Sequence, residues 1–209
     1  MRLINYINEK NDEHVFDLIR KNCKPYFKRF KKEKLILYSG RKKLNTWFEG
    51  KIRKNRKPLD MPEELHELTN NHFEKKFGVS LRSECLFAYE LLGYTSHYGN
   101  PYIILPIGNF DIYWHPQIID FFGELDDKLS NEFDGLQLMS LNMRDVDYTI
   151  LEFLDKEIKI IVDKYVKNKP PVKKGIEIMI HGDKYYALST RWINPNNYMD
   201  KIWEMFNEA

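Results

Sequence analysis

Cysteine is scarce in this chain of 209 residues, which contains only Cys23 and Cys85. Neither cysteine belongs to a Cys-x-x-Cys pair or lies near a pair of histidines, so the sequence argues against a disulfide framework and against a zinc site. No stretch approaches the ~18 apolar residues of a membrane span, and polar residues interrupt the first turns where a signal peptide needs an apolar run. We therefore expect a protein without membrane segments that works in the reducing cytoplasm.

Several site signatures are missing as well. The sequence has no P-loop, no dinucleotide-binding glycine fingerprint, no Gly-x-Ser-x-Gly and no His-Glu-x-x-His. The six histidines fall on different predicted elements, and none has an acidic neighbour at metal-ligand spacing. These absences count against the corresponding hydrolase, redox and metalloprotease mechanisms, and we expect no metal.

Apolar material is plentiful, since hydrophobic residues make up 43% of the chain and aromatic residues 14%. A chain of this length buries roughly 70% of the surface of its unfolded state, which suffices for one core. Without repeats or a linker, we expect a single domain over residues 1–209. Within it we distinguish an N-terminal helical basic segment (1–34), a core (35–190) and a C-terminal helix (191–209).

Positive charge is concentrated in one part of the chain. The formal net charge is only +2, yet the segment from Arg20 to Lys57 carries sixteen lysines and arginines against two acidic residues. A segment this basic attracts polyanions, above all nucleic acid. A solvated basic face that balances an acidic body is the other interpretation, and the sequence leaves both open. The candidate contacts to a polyanion are Lys42, Lys43, Lys54 and Lys57.

Hydrophobic periodicity predicts a mixture of helices and strands. Helices are expected near 12–30, 62–78, 89–98, 115–129, 148–166 and 194–206. Strands are expected at 35–38, 83–87, 102–106, 111–114, 175–180 and 185–188. Turns are expected at Ser39-Gly40, at Ile107-Gly108-Asn109 and at His181-Gly182-Asp183-Lys184, with a loop from Arg41 to Asp60. This order predicts the α+β class.

A series of short motifs follows in order along most of the chain, from about Leu35 to Leu188. The motifs are Arg56-Lys57-Pro58-Leu59-Asp60, His66, Asn70-Asn71, Phe77-Gly78, Arg82-Ser83-Glu84-Cys85-Leu86-Phe87, Tyr98-Gly99, Pro106-Ile107-Gly108, Trp114-His115-Pro116, Asp120 and Glu177-Ile178-Met179. This order resembles a group of bacteriophage proteins that look like distant ADP-ribosyltransferases. The resemblance implies two small packed β-sheets flanked by helices, with NAD as a substrate.

The resemblance also implies roles for individual residues. Glu177 matches the late catalytic carboxylate and Ser83 the serine of the second motif, whose hydroxyl holds that carboxylate. Breaking the bond between nicotinamide and ribose builds positive charge on the sugar, so a carboxylate near the ribose is useful. Alternation places Glu177 opposite the face of the neighbouring isoleucines, so we expect it to point to a cleft or to water.

The first motif departs from the pattern of the family. Where such enzymes carry Tyr-Arg-Gly or Tyr-His-Gly, this chain has Tyr38-Ser39-Gly40-Arg41. The cofactor-binding candidates are therefore Ser39, Arg41, Arg82 and Tyr98, with Arg53 and Arg56 as further replacements for the missing cation. Gly175 stands where enzymes that modify arginine carry Glu or Gln, so an arginine acceptor is not favoured.

Two functions follow as expectations. The first is a phage ADP-ribosyltransferase-like protein that binds NAD and transfers ADP-ribose to an unknown macromolecule in the host cytoplasm. The second is a catalytically inactive module of the same fold that engages host protein or nucleic acid through its basic N-terminal segment. The altered first motif keeps the second function open.

Overall fold

The computed structural model describes residues 2–58, 61–141, 146–169, 175–194 and 198–209, with side chains from Asp12 onward. Helices and strands follow each other in mixed order, which confirms the α+β class. The chain groups into two compact units built from separate segments: unit 1 comprises Met1–Lys51, Glu90–Phe110 and Gly182–Ala209, and unit 2 comprises Ile52–Tyr89 and Asp111–His181.

Eight α-helices and two 3₁₀ helices occur in the described residues. The α-helices are α1 (Arg2–Asn22), α2 (Lys24–Arg29), α3 (Glu63–Phe77), α4 (Leu81–Glu84), α5 (Phe121–Glu132), α6 (Tyr148–Lys164), α7 (Thr190–Ile193) and α8 (Met199–Glu208). The 3₁₀ helices are Leu92–Tyr98 and Leu138–Ser140.

Two helices end where their sequence signals place them. Pro62 precedes α3, Glu63 and Glu64 lie in its first turn near the positive end of the helix dipole, and Gly78 ends it in the left-handed conformation at a φ of 71°. Helix α6 confirms the periodic helix expected from Tyr148. It begins after a cap in which Asp147 accepts a hydrogen bond of 2.7 Å from the backbone N–H of Thr149.

The described residues contain six strands, whose pairings within the two units are antiparallel. They are β1 (Leu37–Arg41), β2 (Trp47–Lys51), β3 (Cys85–Tyr89), β4 (Asn100–Trp114), β5 (Val166–Lys167) and β6 (Glu177–Ser189). In unit 1, β1 pairs with the first part of β4 and β2 with the last part of β6. In unit 2, β3 pairs with the first part of β6, and β5 pairs with the end of β4.

Both expected hairpin turns are wrong. The chain remains in strand conformation through Gly108 within β4 and through Gly182 within β6, so each expected hairpin is a single strand. Gly108 has a φ of 67°, a left-handed value that glycine adopts without the steric penalty of a Cβ atom. The two halves of each strand pair with segments that are remote in sequence rather than with each other.

Three further local predictions need correction. Ser39 and Gly40 lie within β1 rather than in a turn, and the segment expected to be a loop contains β2. Ser83 lies on the helical turn α4 rather than in a strand, which starts only at Cys85. A Cβ atom at Gly40 would approach the carbonyl oxygen of Thr95 to 2.4 Å, so the close packing of the 3₁₀ helix on β1 requires this glycine.

Each unit has its own apolar core. In unit 1 aromatic rings dominate, and Tyr26, Phe27 and Phe206 make tilted or edge-to-face contacts with centroids 5.0–6.0 Å apart. In unit 2 helices α3, α5 and α6 contribute side chains such as Phe73 and Leu125, both fully buried, to one cluster. Within the described residues, no helix combines the length and the apolar character needed to cross a bilayer.

Candidate functional site

Unit 2 contains a buried ion pair between Arg82 and Glu177. Arg82 Nη1 donates to Glu177 Oε1 at 2.8 Å, and the two side chains expose only 13% and 7% of their surface. The expectation that Glu177 faces a cleft or water is therefore wrong. Ile178 and Met179, on opposite faces of β6, are both fully buried, so this part of the strand is covered on both sides.

Neighbouring elements fix the position of both members of the pair. The side-chain amide oxygen of Asn70, on α3, accepts a hydrogen bond of 2.9 Å from the backbone N–H of Arg82. Glu177 is the first residue of β6, and its own backbone N–H donates to the carbonyl oxygen of Ile119 at 2.9 Å. It also lies opposite Tyr89 in the β3–β6 register. The pair is thus held from a helix and a strand.

Aromatic rings flank the guanidinium of Arg82. Its Cζ atom lies 4.7 Å from the ring centroid of Phe87 and 5.4 Å from that of Phe121. Arg56 contributes a second guanidinium, 4.1 Å from the same Phe87 ring. Cations stack favourably on aromatic faces, most of all when water is excluded. Arg82 Nε is buried and has no hydrogen-bond partner among the described residues.

Burial raises the pKa of Glu177 to about 7. The positive charge of Arg82 opposes this rise, and the negative charge of Asp120 adds to it. Asp120 lies close because it caps α5, where its carboxylate accepts a hydrogen bond of 2.8 Å from the N–H of Gly123. A carboxyl group with a pKa near 7 exchanges its proton at neutral pH, a property typical of functional carboxylates and also of buried structural pairs.

The hydroxyl of Ser83 contacts Asn70 and His66 rather than Glu177. Asn70 Nδ2 donates to Ser83 Oγ at 2.8 Å, and Ser83 Oγ lies 2.9 Å from His66 Nε2. Ser83 thus contacts a histidine and an amide, whereas Glu177 is held by Arg82. The resemblance implies a hydrogen bond from the serine to the catalytic carboxylate, and among the described residues Arg82 takes that place.

His66 lies where its ring nitrogen can accept a hydrogen bond from the hydroxyl of Ser83. Burial and the positive charges of Arg82 and Arg56 lower the pKa of His66, so its imidazole is neutral at pH 7. Because Ser83 Oγ already accepts from Asn70, its own O–H is free to donate to His66 Nε2. The second ring nitrogen is tied to the backbone of Arg56, whose hydrogen bond opposes the lowering of the pKa. His66 thereby fixes the orientation of the Ser83 hydroxyl.

Of the remaining cofactor-binding candidates, Arg53 is exposed in unit 2, and Ser39, Arg41 and Tyr98 belong to unit 1. Ser39 lies within β1 and is buried, with 6% of its surface exposed. Arg41 ends β1, and its Cζ atom lies 5.4 Å from the ring centroid of Tyr185. Tyr98 ends the first 3₁₀ helix and is exposed.

The candidate lysines for polyanion binding are all exposed, and they divide between the units. In unit 2, Lys57 forms an ion pair with Glu63 at 2.8 Å, and Lys54 Nζ lies 3.2 Å from His181 Nε2. In unit 1, Lys42 and Lys43 form no ion pair with a carboxylate of the described chain. The unit 1 lysines are therefore the more available for an external anion.

Sequence reasoning gave no role to His66, Asn70 and Asp120, although all three lie in the segment that carries the motifs. Asp120 leaves a local signal, because an aspartate just before a helix commonly caps it. No local sequence pattern predicts the contacts of His66 and Asn70, because they depend on the packing of α3 against α4 across 12–17 residues of sequence. Leu59 and Asp60, which also belong to the motif set, lie outside the described residues.

Comparisons with known families, curated proteins and solved structures do not place the chain in a group. No family model matches it, and neither the curated proteins nor the solved structures contain a significant match. Arguments about function therefore rest on the chemistry of the two units themselves.

Proposed function

We propose that the chain is a phage ADP-ribosyltransferase-like protein, with two small packed β-sheets flanked by helices, that binds NAD and transfers ADP-ribose to a host macromolecule. The observation that supports this proposal is the Arg82–Glu177 pair, in which a guanidinium holds a buried carboxylate whose pKa is about 7. Such a carboxylate, when ionised, stabilises positive charge that develops on a nearby ribose.

In the proposed reaction, the bond between C1′ of the ribose and the nicotinamide nitrogen breaks, and its electron pair leaves with nicotinamide. The positive charge that develops on the sugar is opposed by ionised Glu177, which Arg82 orients. A nucleophilic atom of the acceptor then bonds to C1′ and loses its proton to a base. Water in place of the acceptor gives free ADP-ribose by the same bond changes.

The test is NAD turnover by the wild-type chain and by two variants. Glu177→Gln keeps the shape of the side chain and removes the charge, so turnover should fall by on the order of 10²–10³. Glu157→Gln is the matched control, because Glu157 is also a mostly buried carboxylate of unit 2, paired with Lys128 at 3.1 Å. The control should retain full turnover. Equal turnover by the wild type and Glu177→Gln would overturn the assignment.

Labelled NAD incubated with host lysate identifies the product. Label on a macromolecule supports transfer, and free ADP-ribose supports hydrolysis. A melting curve of each variant must accompany the kinetics, so that loss of turnover is not confused with loss of fold. No turnover by a folded wild-type chain would reject NAD chemistry and favour the second function.

The second function is a binding module without catalysis. It is favoured by the exposure of fourteen of the sixteen basic side chains between Arg20 and Lys57. Lysines that contact nucleic acid release condensed counterions, so affinity falls with salt by a slope of about 0.9 per phosphate contact on duplex DNA. We expect affinity for duplex DNA to fall steeply between about 50 and 200 mM salt.

Variants of the two units separate the contributions to polyanion binding. Replacing Lys42 and Lys43 by Glu should weaken binding more than replacing Lys54 and Lys57, because Lys57 is already paired with Glu63. Lys156→Glu, an exposed position outside the basic segment, is the control for net charge. An affinity for DNA that does not change with salt concentration, or that is the same for all the variants, would reject this function.

A further inference from the structure

A pocket of about 230 Å³ lies within unit 1, and neither Arg82 nor Glu177 contributes to its lining. Strand ends, the segment that follows β1, and helix α7 surround it. Its lining is Lys43, Leu44, Thr46, Asn100, Tyr102, Ser189, Arg191 and Trp192. The lining thus combines two cations with hydroxyl and aromatic groups.

Hydrogen bonds fix the wall formed by residues 43–46. Asn100 Nδ2 donates to the carbonyl oxygen of Lys43 at 2.8 Å, and the hydroxyl of Tyr102 donates to the carbonyl oxygen of Asn45 at 2.7 Å. The N–H of Ser189 donates to the carbonyl oxygen of Thr46 at 2.8 Å. These bonds tie the segment to β4 and β6, so the pocket is formed before any ligand arrives.

The two cations of the pocket lining, Lys43 and Arg191, lie where they can bind an anion. The ammonium of Lys43 lies 4.5 Å from the ring centroid of Phe48, which restrains the long side chain. Burial raises the pKa of Tyr102, and the positive charge of Arg191 opposes that rise, so Arg191 lies close to the pocket. Neither cation forms an ion pair with a carboxylate in the described part of the chain. A charge of about +2 is therefore available.

The size and charge of the pocket select the ligand. Pockets for drug-sized ligands measure roughly 300–1,000 Å³, so about 230 Å³ suits a sugar phosphate or the end of a nucleotide better than a whole dinucleotide. A carboxylate offers one negative charge, whereas a phosphate monoester carries about −1.5 to −2 at pH 7. Arginine and lysine are both established phosphate ligands, and the hydroxyls of Thr46 and Ser189 add donors.

We propose that this pocket binds the phosphate monoester of a nucleotide, with Lys43 and Arg191 as its cationic ligands. Trp192 supplies a rigid aromatic wall, since its ring stacks on Phe16 at a centroid distance of 5.7 Å and an interplanar angle of 12°. The phosphate comes either from a free mononucleotide or from the 5′ end of a nucleic acid. The proposal does not rest on NAD chemistry in unit 2.

Calorimetric titration of the full chain tests the proposal with AMP and adenosine as probes. AMP should bind at least about ten-fold more tightly than adenosine, because charged hydrogen bonds to the phosphate are lost in the nucleoside. Arg191→Gln and Lys43→Gln should each weaken AMP binding by at least about ten-fold. Lys24→Gln, an exposed lysine of unit 1 outside the pocket lining, should leave it unchanged.

A second pair of probes identifies the source of the phosphate. Competition by a 5′-phosphorylated oligonucleotide, and not by the same oligonucleotide with a 5′-hydroxyl, assigns the pocket to nucleic-acid ends. Competition by AMP alone assigns it to free nucleotides, and either result supports the proposal. Equal binding of AMP and adenosine, or AMP binding that neither substitution weakens, would overturn it. None of these readouts involves NAD turnover, so the two proposals fail separately.

Discussion

Cationic side chains are held in opposite ways in the two units. In unit 2 Arg82 is buried, paired with Glu177 and stacked on aromatic rings. In unit 1 Lys43 and Arg191 are exposed, line a pocket, and have no carboxylate partner in the described chain. A buried charge depends on its neighbours, because removing one partner leaves the other without water or counter-charge. An exposed charge contributes little to folding and is available to a ligand.

The sharpest test of this contrast is the loss of the buried guanidinium. Arg82→Met fills similar space without charge, and at pH 8.5 it leaves Glu177 buried without its ion-pair partner. We expect the free energy of unfolding to fall by about 3–5 kcal/mol, as urea denaturation measures. Lys128→Met, which breaks the more exposed pair with Glu157, is the control and should cost less than about 1 kcal/mol. Equal losses of unfolding free energy in the two variants would show that the buried pair and the more exposed pair contribute equally to stability.

A second test uses pH. The pKa of Glu177 is raised from 4.5 to about 7, so the folded state holds its proton more tightly than the unfolded state does. The contribution of this raised pKa to the free energy of unfolding is fully present below pH 4.5 and is lost as the pH rises through 7. A tenfold difference in proton affinity between the two states corresponds to about 1.4 kcal/mol, which gives a change of about 3 kcal/mol over this range. Glu177→Gln cannot titrate and lacks this change.

The measurable quantity is the difference in unfolding free energy between the wild type and Glu177→Gln at pH 5 and at pH 8.5. The wild type should lose stability relative to the variant as the pH rises. Other titrating groups are common to both proteins and cancel in the difference. A difference that stays constant with pH would contradict the raised pKa.

Asp120 connects a helix cap with the titration of Glu177, and two substitutions separate these effects. Asp120→Asn keeps a capping side chain for α5 and removes a negative charge, so stability should stay within about 0.5 kcal/mol while the pKa of Glu177 shifts downward. Asp120→Ala removes the cap as well and should cost about 1 kcal/mol. Carboxyl NMR titration and thermal melts measure the two effects. An unchanged titration of Glu177 in both variants would show that Asp120 acts only as a cap.

The smallest effect is expected in unit 1. Lys43→Gln and Arg191→Gln should each change the free energy of unfolding by less than about 0.5 kcal/mol, because both side chains are exposed and unpaired with described carboxylates. Chemical denaturation of the two variants beside the wild type checks this. A loss comparable to that of Arg82→Met would mean that these cations serve the fold rather than a ligand.

How much of the fold the sequence predicts depends on whether the signal is local. Pro62 and Gly78 mark the two ends of helix α3, and the spacing of apolar residues indicates helix α6. Both helices could therefore be predicted from the sequence. The glycines at 108 and 182 look like turn residues, yet the pairing partners of β4 and β6 lie far away in sequence. Local patterns cannot show that a remote strand replaces the neighbouring one as a partner.

The same limit applies to the candidate site. The motif order singled out Arg82, Ser83 and Glu177, and the structure places Arg82 against Glu177 across 95 residues of sequence. The burial of Glu177 was not predictable, since alternation identifies two faces of a strand but not whether both are covered. No sequence pattern predicted the pocket at Arg191, because its lining comes from three separate stretches of the chain.

The long strands β4 and β6 have a consequence for synthesis of the protein. Unit 1 needs Gly182–Ala209 to complete its pairing with β2, and these residues are translated after all of unit 2. Strand β2 therefore leaves the ribosome well before its partner exists, at about 5–20 residues per second. During that interval the apolar side chains of Trp47 and Phe48 lack their strand partner. Chaperone binding to the nascent chain should thus be strongest between the emergence of β2 and that of β6.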